Sequence, residues 1–167
     1  TTAMTEITDS MMVGPGVMYY SESRPEMPWE MDVVVIDLTD TNLTFKTVKA
    51  NDQLAGHEKT SSMAARNERP GHRVVAAING DFYDGTGLPI GAQVSNGQIV
   101  KTDFGWQTIG LSTTKIPYIA DISFGGTVRS DSLLNLLHNV NTVRNTDQLI
   151  LFNPFFGYST GTNAYGS

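Results

Sequence analysis

Three side chains able to orient or activate a polar substrate, Asn79, Asp81 and Asp84, fall within the stretch AINGDFYDGTGLPIG, residues 77–91. An apolar run leads into it and four glycines, Gly80, Gly85, Gly87 and Gly91, punctuate it. Loops at strand ends are where functional groups concentrate. A carboxylate there can activate water or steady a developing positive charge, and an amide can orient a hydroxyl. The same residues have a plainer use, because Asn79-Gly80 and Asp84-Gly85 are turn-forming dipeptides that accept positive φ. Both uses stay open on sequence alone. Two other chemistries fail on spacing: the glycines of GTGLPIG are at the wrong offsets for a dinucleotide fingerprint, and DFYDG lacks the alternation of a calcium loop.

A second polar constellation spans residues 141–166, with NTVR, LILFNPFFG and YSTGTNAYG in order. Arg144 offers a planar fork, and Thr160, Thr162 and Asn163 offer directional bonds, which suits a sugar or an oxyanion. A solvated turn uses the same residue types. The three histidines, His57, His72 and His138, show no metal-ligand spacing, so no metal and no cofactor is expected. Each suits a surface or edge position, and folding offers His57-Glu58, just ahead of a predicted helix, an alternative place near a site. Ser61, Ser62 and Ser159 lie outside any G-x-S-x-G elbow. With no cysteine, thiol chemistry and disulfides are excluded.

The elements that must carry these loops are mainly strands. Residues 16–21, 31–38, 43–48, 73–79 and 148–152 are short and rich in β-branched or aromatic side chains. Asn96-Gly97 between two such runs, within residues 92–100, predicts a type I′ hairpin. Helices are predicted over 59–67, with Thr60, Ser61 or Ser62 as cap, and over 131–139, where leucines at 133, 134, 136 and 137 fill one side. The expected fold class is α+β, a mostly antiparallel mixed sheet with two short helices, forming one incomplete domain over residues 1–167. Continuous apolar stretches in 73–79 and 148–152 predict burial on both faces. Two short helices cover one face at best, so association with a further polypeptide around residues 149–165 is expected.

Eleven Lys and Arg against seventeen Asp and Glu give a net charge of −6 with no basic cluster, which disfavours nucleic acid and anionic membrane surfaces as partners. No apolar run approaches the roughly 18 residues that cross a bilayer, so membrane insertion is not expected.

Taken in order, HEKTSSMAAR, VVAAINGDFYDGTGLPIGAQVSNGQIV and VNTVRNTDQLILFNPFFGYSTGTNAYG resemble the phosphodiester glycosidase family over residues 55–166. Its most specific parts are the Asn-Gly-x-Phe strand end with its glycine-punctuated run, and the S-T-x-T-N segment. The resemblance implies a hydrolase, secreted or held in a bacterial cell envelope, that releases a sugar such as N-acetylglucosamine from a sugar-1-phosphodiester. It places Asn79, Gly80 and Asp81 in the first motif, and Arg144, Thr160, Thr162 and Asn163 in the second. The family pattern continues to a late Asp-Gly-Gly-Gly-Ser motif not found in this chain. The resemblance thus implies the N-terminal and central part of a domain, completed by its own C-terminal part or by a second chain.

In that chemistry the phosphodiester leaving group is already acidic, so stabilising the phosphate matters more than protonating it. Arg144 is the expected phosphate partner. Asp81 is the expected carboxylate at the anomeric centre, with Asn79, Thr160 and Asn163 orienting oxygens. A non-catalytic carbohydrate-binding or envelope-interaction module is the alternative from a different class.

Overall fold

The computed structural model describes residues 6–24, 26, 28–102 and 105–161. Three strands open the chain: β1 (Glu6–Gly14), β2 (Val17–Arg24) and β3 (Trp29–Ile36) form an antiparallel sheet in that order. The turn between the first two holds Gly16 at φ 67°, a backbone region that a Cβ disfavours, and the Gly16 carbonyl accepts from Asp37 N at 2.8 Å. Val17 beside it is 1% exposed.

Segment 43–48, expected as a strand, joins no ladder. It runs beside β4 (Gln93–Ser95) through side chains instead: Ser95 Oγ donates to the Thr47 carbonyl at 3.0 Å, and Thr47 Oγ1 donates to the Val94 carbonyl. A short 3-10 turn, Ala50–Asp52, then leads to α1 (Thr60–Asn67). This is the first predicted helix, but Lys59 occupies its cap position with no side-chain cap bond, in place of the expected Thr or Ser. Segment 73–79 is not a strand either. Ala76, Ala77 and Ile78 are exposed there, so the two-face burial expected from its apolar run is absent.

The Asn96-Gly97 hairpin forms as predicted. β4 pairs antiparallel with β5 (Gln98–Lys101) across Asn96 at φ 49° and Gly97 at φ 77°, both in the left-handed region a type I′ turn requires. Two further antiparallel pairs follow, β6 (Gln107–Leu111) with β7 (Pro117–Asp121), and β8 (Gly126–Arg129) with β9 (Leu134–Leu137). The last of these overturns the second helix, predicted over 131–139. Leu134 and Leu136 alternate with Asn135 as well as they fit a helical face, and a helix of about two turns has little stability of its own, so pairing with β8 prevails. The fold is therefore mostly β, with several small sheets and one α-helix among the described residues. It is neither the α+β class nor the single mixed sheet that was expected.

The last strands among the described residues are a parallel pair, β10 (Asn139–Val140) with β11 (Ile150–Leu151), followed by a 3-10 turn, Pro154–Phe156. The strand predicted over 148–152 is cut to two residues, and Leu149 and Leu151 remain exposed. β10 lies beside β5, where Thr102 N donates to the Val140 carbonyl at 3.3 Å and Thr102 Oγ1 to Asn139 Oδ1 at 2.9 Å.

The apolar core is small: Val17, Ala50, Leu54, Val100 and Val140 are its buried members. Beside Val100 and Val140, Asn141 is 1% exposed and its carboxamide ties three segments together. Nδ2 donates to the Val100 carbonyl at 2.7 Å and to Asn153 Oδ1 at 2.6 Å, and Oδ1 accepts from Asn153 N at 3.0 Å. Asn153 in turn donates from Nδ2 to the Ile99 carbonyl at 2.7 Å and accepts from Phe155 N at 3.1 Å. Asn141 sits at φ 54°, a conformation asparagine tolerates better than most side chains. Much apolar surface stays uncovered. The exposed surface of 12449 Å² is about half as much again as the roughly 8,100 Å² of a compact monomer of this mass.

Truncating Asn141 leaves the buried Val100 carbonyl and the Asn153 N–H without these partners, while Asn153 Oδ1 keeps only its bond from Phe155 N. Asn141→Ala is expected to destabilise the fold by about 3 kcal/mol, since each orphaned group costs about 1–3 kcal/mol. Urea unfolding checks this, and a loss below about 1 kcal/mol shows that the clasp is not a main support of the core.

Candidate active site

Residues 82–90 close on themselves as a compact loop. Asp84 does most of this: its Oδ1 accepts from Thr86 N at 2.8 Å, Thr86 Oγ1 at 2.6 Å and Leu88 N at 3.1 Å, while its own N–H donates to the Leu88 carbonyl at 3.0 Å. The turn-forming use of Asp84-Gly85 is realised. These bonds, first of all the Thr86 hydroxyl and then the two N–H groups, hold the Asp84 carboxyl below its ordinary range. Ile90 N donates to the Phe82 carbonyl at 2.9 Å and closes the neck.

Asp81 stands at that neck with a different role. Its Oδ2 accepts from Gly91 N at 2.8 Å, and its Oδ1 makes no hydrogen bond to a described residue. A Cβ at the buried Gly91 would lie 3.2 Å from both carboxylate oxygens, so glycine there lets the backbone come close enough to hold the group. The side chain is thus anchored by one oxygen on a residue that is exposed as a whole.

A second segment packs against the loop. Gly87, at φ 79°, lies so close to Gly56 that a Cβ would collide with the Gly56 carbonyl. The rings of His57 and Tyr83 meet edge to face at 5.4 Å. On the other side Phe82 meets Trp106 edge to face at 6.2 Å. Lys49 Nζ donates to the Gly87 carbonyl at 3.0 Å. Burial lowers the Lys49 pKa, and the field of Asp81 partly offsets that.

The Lys49 backbone is itself clamped. Its carbonyl accepts from Arg66 Nη2 at 2.6 Å and from Asp52 N at 3.1 Å. Arg66 is fixed by Glu58, at 2.9 and 3.1 Å from Nε, and by Asp52, at 2.7 Å from Nη1. Arg66 holds the Glu58 carboxyl below its ordinary range, helped by Asn51 N at 2.8 Å.

The structure gathers some expected residues and leaves others apart. Asp81 and the 82–90 loop form one constellation, with Asn79 and Gly80 exposed just before it. Asn79 makes no hydrogen bond to a described residue. Arg144 is exposed between β10 and β11 and makes no hydrogen bond or ion pair with a described residue. Thr160 is exposed near the end of the described chain, and Thr162 and Asn163 lie outside the described residues. Lys49, Phe82, Tyr83 and Trp106 were not singled out from sequence. The aromatic residues flank the motif and were readable in principle. Lys49, lying 38 positions before its Gly87 partner, carries no local signal. Among the described residues no group of three or more His, Asp or Glu is placed to hold a metal ion, and no helix is long and apolar enough to cross a membrane.

Because the Asp84 carboxyl titrates below its ordinary 3.8 when folded, the stability it adds is complete above that value and is lost as pH falls through the lower folded pKa. Carboxyl-carbon NMR on the folded protein is expected to show Asp84 titrating below 3.8, and Asp84→Asn to abolish that part of the acid sensitivity. Titration at or above the ordinary value contradicts the closed loop.

Comparison with protein-family models, curated proteins and solved structures returned no match for this chain.

Proposed function

We propose that this chain carries the catalytic loop of a phosphodiester glycosidase, which releases a sugar from a sugar-1-phosphodiester. The observation that carries this is the carboxylate of the exposed residue Asp81, anchored through one oxygen by Gly91 N–H, with the other making no hydrogen bond to a described residue. The ordered motif resemblance supports the reading. Loop 82–90, closed by Asp84, supports it from below, because a carboxylate acting on a substrate needs a fixed position.

In the proposed reaction the bond from the anomeric carbon to the phosphate oxygen breaks, and its electron pair leaves with the phosphate. A water oxygen bonds to the anomeric carbon. Asp81 takes the proton that the water loses and opposes the positive charge that develops on the sugar. Asn79, exposed beside it, orients a sugar hydroxyl. The products are the free sugar and a phosphate monoester on the acceptor. Secretion or residence in the cell envelope belongs to the same proposal. So does completion of the domain by further polypeptide, which the bare apolar surfaces of Ile109, Ile119, Leu134 and Leu136 favour.

A second reading, a non-catalytic carbohydrate-binding module, draws on one specific observation. Phe82, Tyr83 and Trp106 are exposed around Asp81, and rings of that kind suit the apolar faces of sugars. Product analysis separates the two. With a nucleotide sugar as surrogate for the sugar-1-phosphodiester, the protein is expected to release free sugar. Asp81→Asn, which keeps shape and removes charge, is expected to slow turnover by about a hundredfold or more with folding intact. Release of sugar-1-phosphate assigns the wrong bond, and saturable sugar binding without turnover favours the binding module.

A further inference from the structure

We infer that Lys49 is the anion-binding group of this site and receives the phosphate of the substrate, a role the sequence suggested for Arg144. This rests on the phosphodiester reading above.

The argument begins with the cost of placing an ammonium group where it is. Lys49 is half-buried. Its Nζ meets one acceptor, the Gly87 carbonyl at 3.0 Å, and no carboxylate among the described residues lies within ion-pair distance of it. An ammonium carries three N–H donors, so two remain for a ligand. A charge partly removed from water without a contact counter-ion is unfavourable. Other cations are settled differently. Arg66 is matched by Glu58 and Asp52, Lys101 Nζ donates to the carbonyls of Ile90 at 2.9 Å and Thr102 at 3.4 Å, and Lys115 Nζ donates to those of Asp40 at 2.6 Å and Leu43 at 2.9 Å.

Lys49 is also held as a recognition group should be. Arg66 and Asp52 N fix its backbone carbonyl, and the Gly87 carbonyl aims its head at the closed loop. Lys49 bonds the same loop whose neck holds Asp81, so a substrate lying over that loop meets both the cation and the proposed catalytic carboxylate. As the anomeric carbon–oxygen bond breaks, negative charge grows on the phosphate oxygen. A fixed cation there is worth more in the transition state than in the ground state. Lysine suits this as a point charge with no need for bidentate geometry. Nothing comparable holds Arg144.

The test uses inorganic phosphate as the probe and turnover of a nucleotide sugar as a second, independent readout. In wild-type protein labelled with 15N-lysine, phosphate is expected to shift one side-chain ammonium resonance, and Lys49→Arg is expected to remove that resonance from the spectrum. By calorimetry Lys49→Gln is expected to bind phosphate at least about tenfold more weakly, while Lys49→Arg retains most of the affinity, as befits loss or retention of a charge-assisted bond. In turnover Lys49→Gln is expected to lower kcat as well as kcat/KM. No lysine shift with phosphate, or a loss of affinity confined to Arg144→Gln, overturns the inference. Should Lys49→Gln fail to fold, the wild-type resonance decides. Phosphate binding at Lys49 with no sugar released by the wild type removes the glycosidase reading and leaves the anion site standing. Sugar released equally by wild type and Lys49→Gln does the reverse.

Discussion

Two carboxamides, Asn141 and Asn153, fix where separate parts of this chain meet. The hydrophobic residues around them are few, and by themselves Val100 and Val140 would pack in several registers, since apolar contact has no direction. A carboxamide has direction. Asn141 reads the Val100 carbonyl and Asn153 reads that of Ile99, so β5, β10 and the turn after β11 have one arrangement in which all four groups are satisfied. Buried amides in such a network stabilise the fold only when every member is paired, and here each is. Leu54 N then donates to the Phe155 carbonyl at 2.6 Å and brings the segment after Lys49 against the same centre. The candidate site inherits its position from this chain of bonds.

Two neighbouring aspartates in one motif serve opposite ends. Asp84 spends its carboxylate on its own loop, accepting three hydrogen bonds from residues no more than four positions away. Asp81 uses one oxygen for its neck contact and keeps the other free of hydrogen bonds to the described residues. The first makes a rigid object and the second presents a reactive group upon it. Arg66 does for segment 49–58 what Asp84 does for the loop, by gathering Glu58, Asp52 and the Lys49 carbonyl around one guanidinium. A pre-set Lys49 meets a pre-set Gly87 as a result.

What the sequence disclosed follows the range over which each cause acts. Asn96-Gly97 announced its hairpin because the two residues themselves prefer the required backbone, and α1 was readable from its own composition. The leucines of 131–139 misled because their spacing satisfies both periods, and the deciding partner, β8, has its own signal in no pattern of leucines. Segment 73–79 looked like a strand by composition but found no ladder, and 43–48 was held by hydroxyl and amide side chains in place of ladder bonds. At the site, the Asp81 motif was visible as a cluster of chemistry-bearing types. The division of labour between Asp81 and Asp84 was not, because it depends on which N–H groups the closed loop presents. Lys49 was silent for a related reason: its importance comes entirely from a contact with a distant carbonyl.

The span of the asparagine clasp bears on how the chain reaches its fold. Asn141 and Val100 are 41 residues apart and Asn153 and Ile99 are 54 apart. Closing such loops costs chain entropy that no local contact offsets in advance, whereas hairpins of a few residues form within about 1–10 μs. The hairpins β4–β5, β6–β7 and β8–β9 can therefore assemble well before the clasp that orders them, and until it closes they are ribbons with open edges. Ile109 and Ile119, registered opposite one another on β6 and β7 and largely uncovered even in the finished fold, lie on such a ribbon. In a crowded synthesis compartment, the interval before Asn141 finds Asn153 is when neighbouring chains have the best opportunity to pair edge to edge and aggregate.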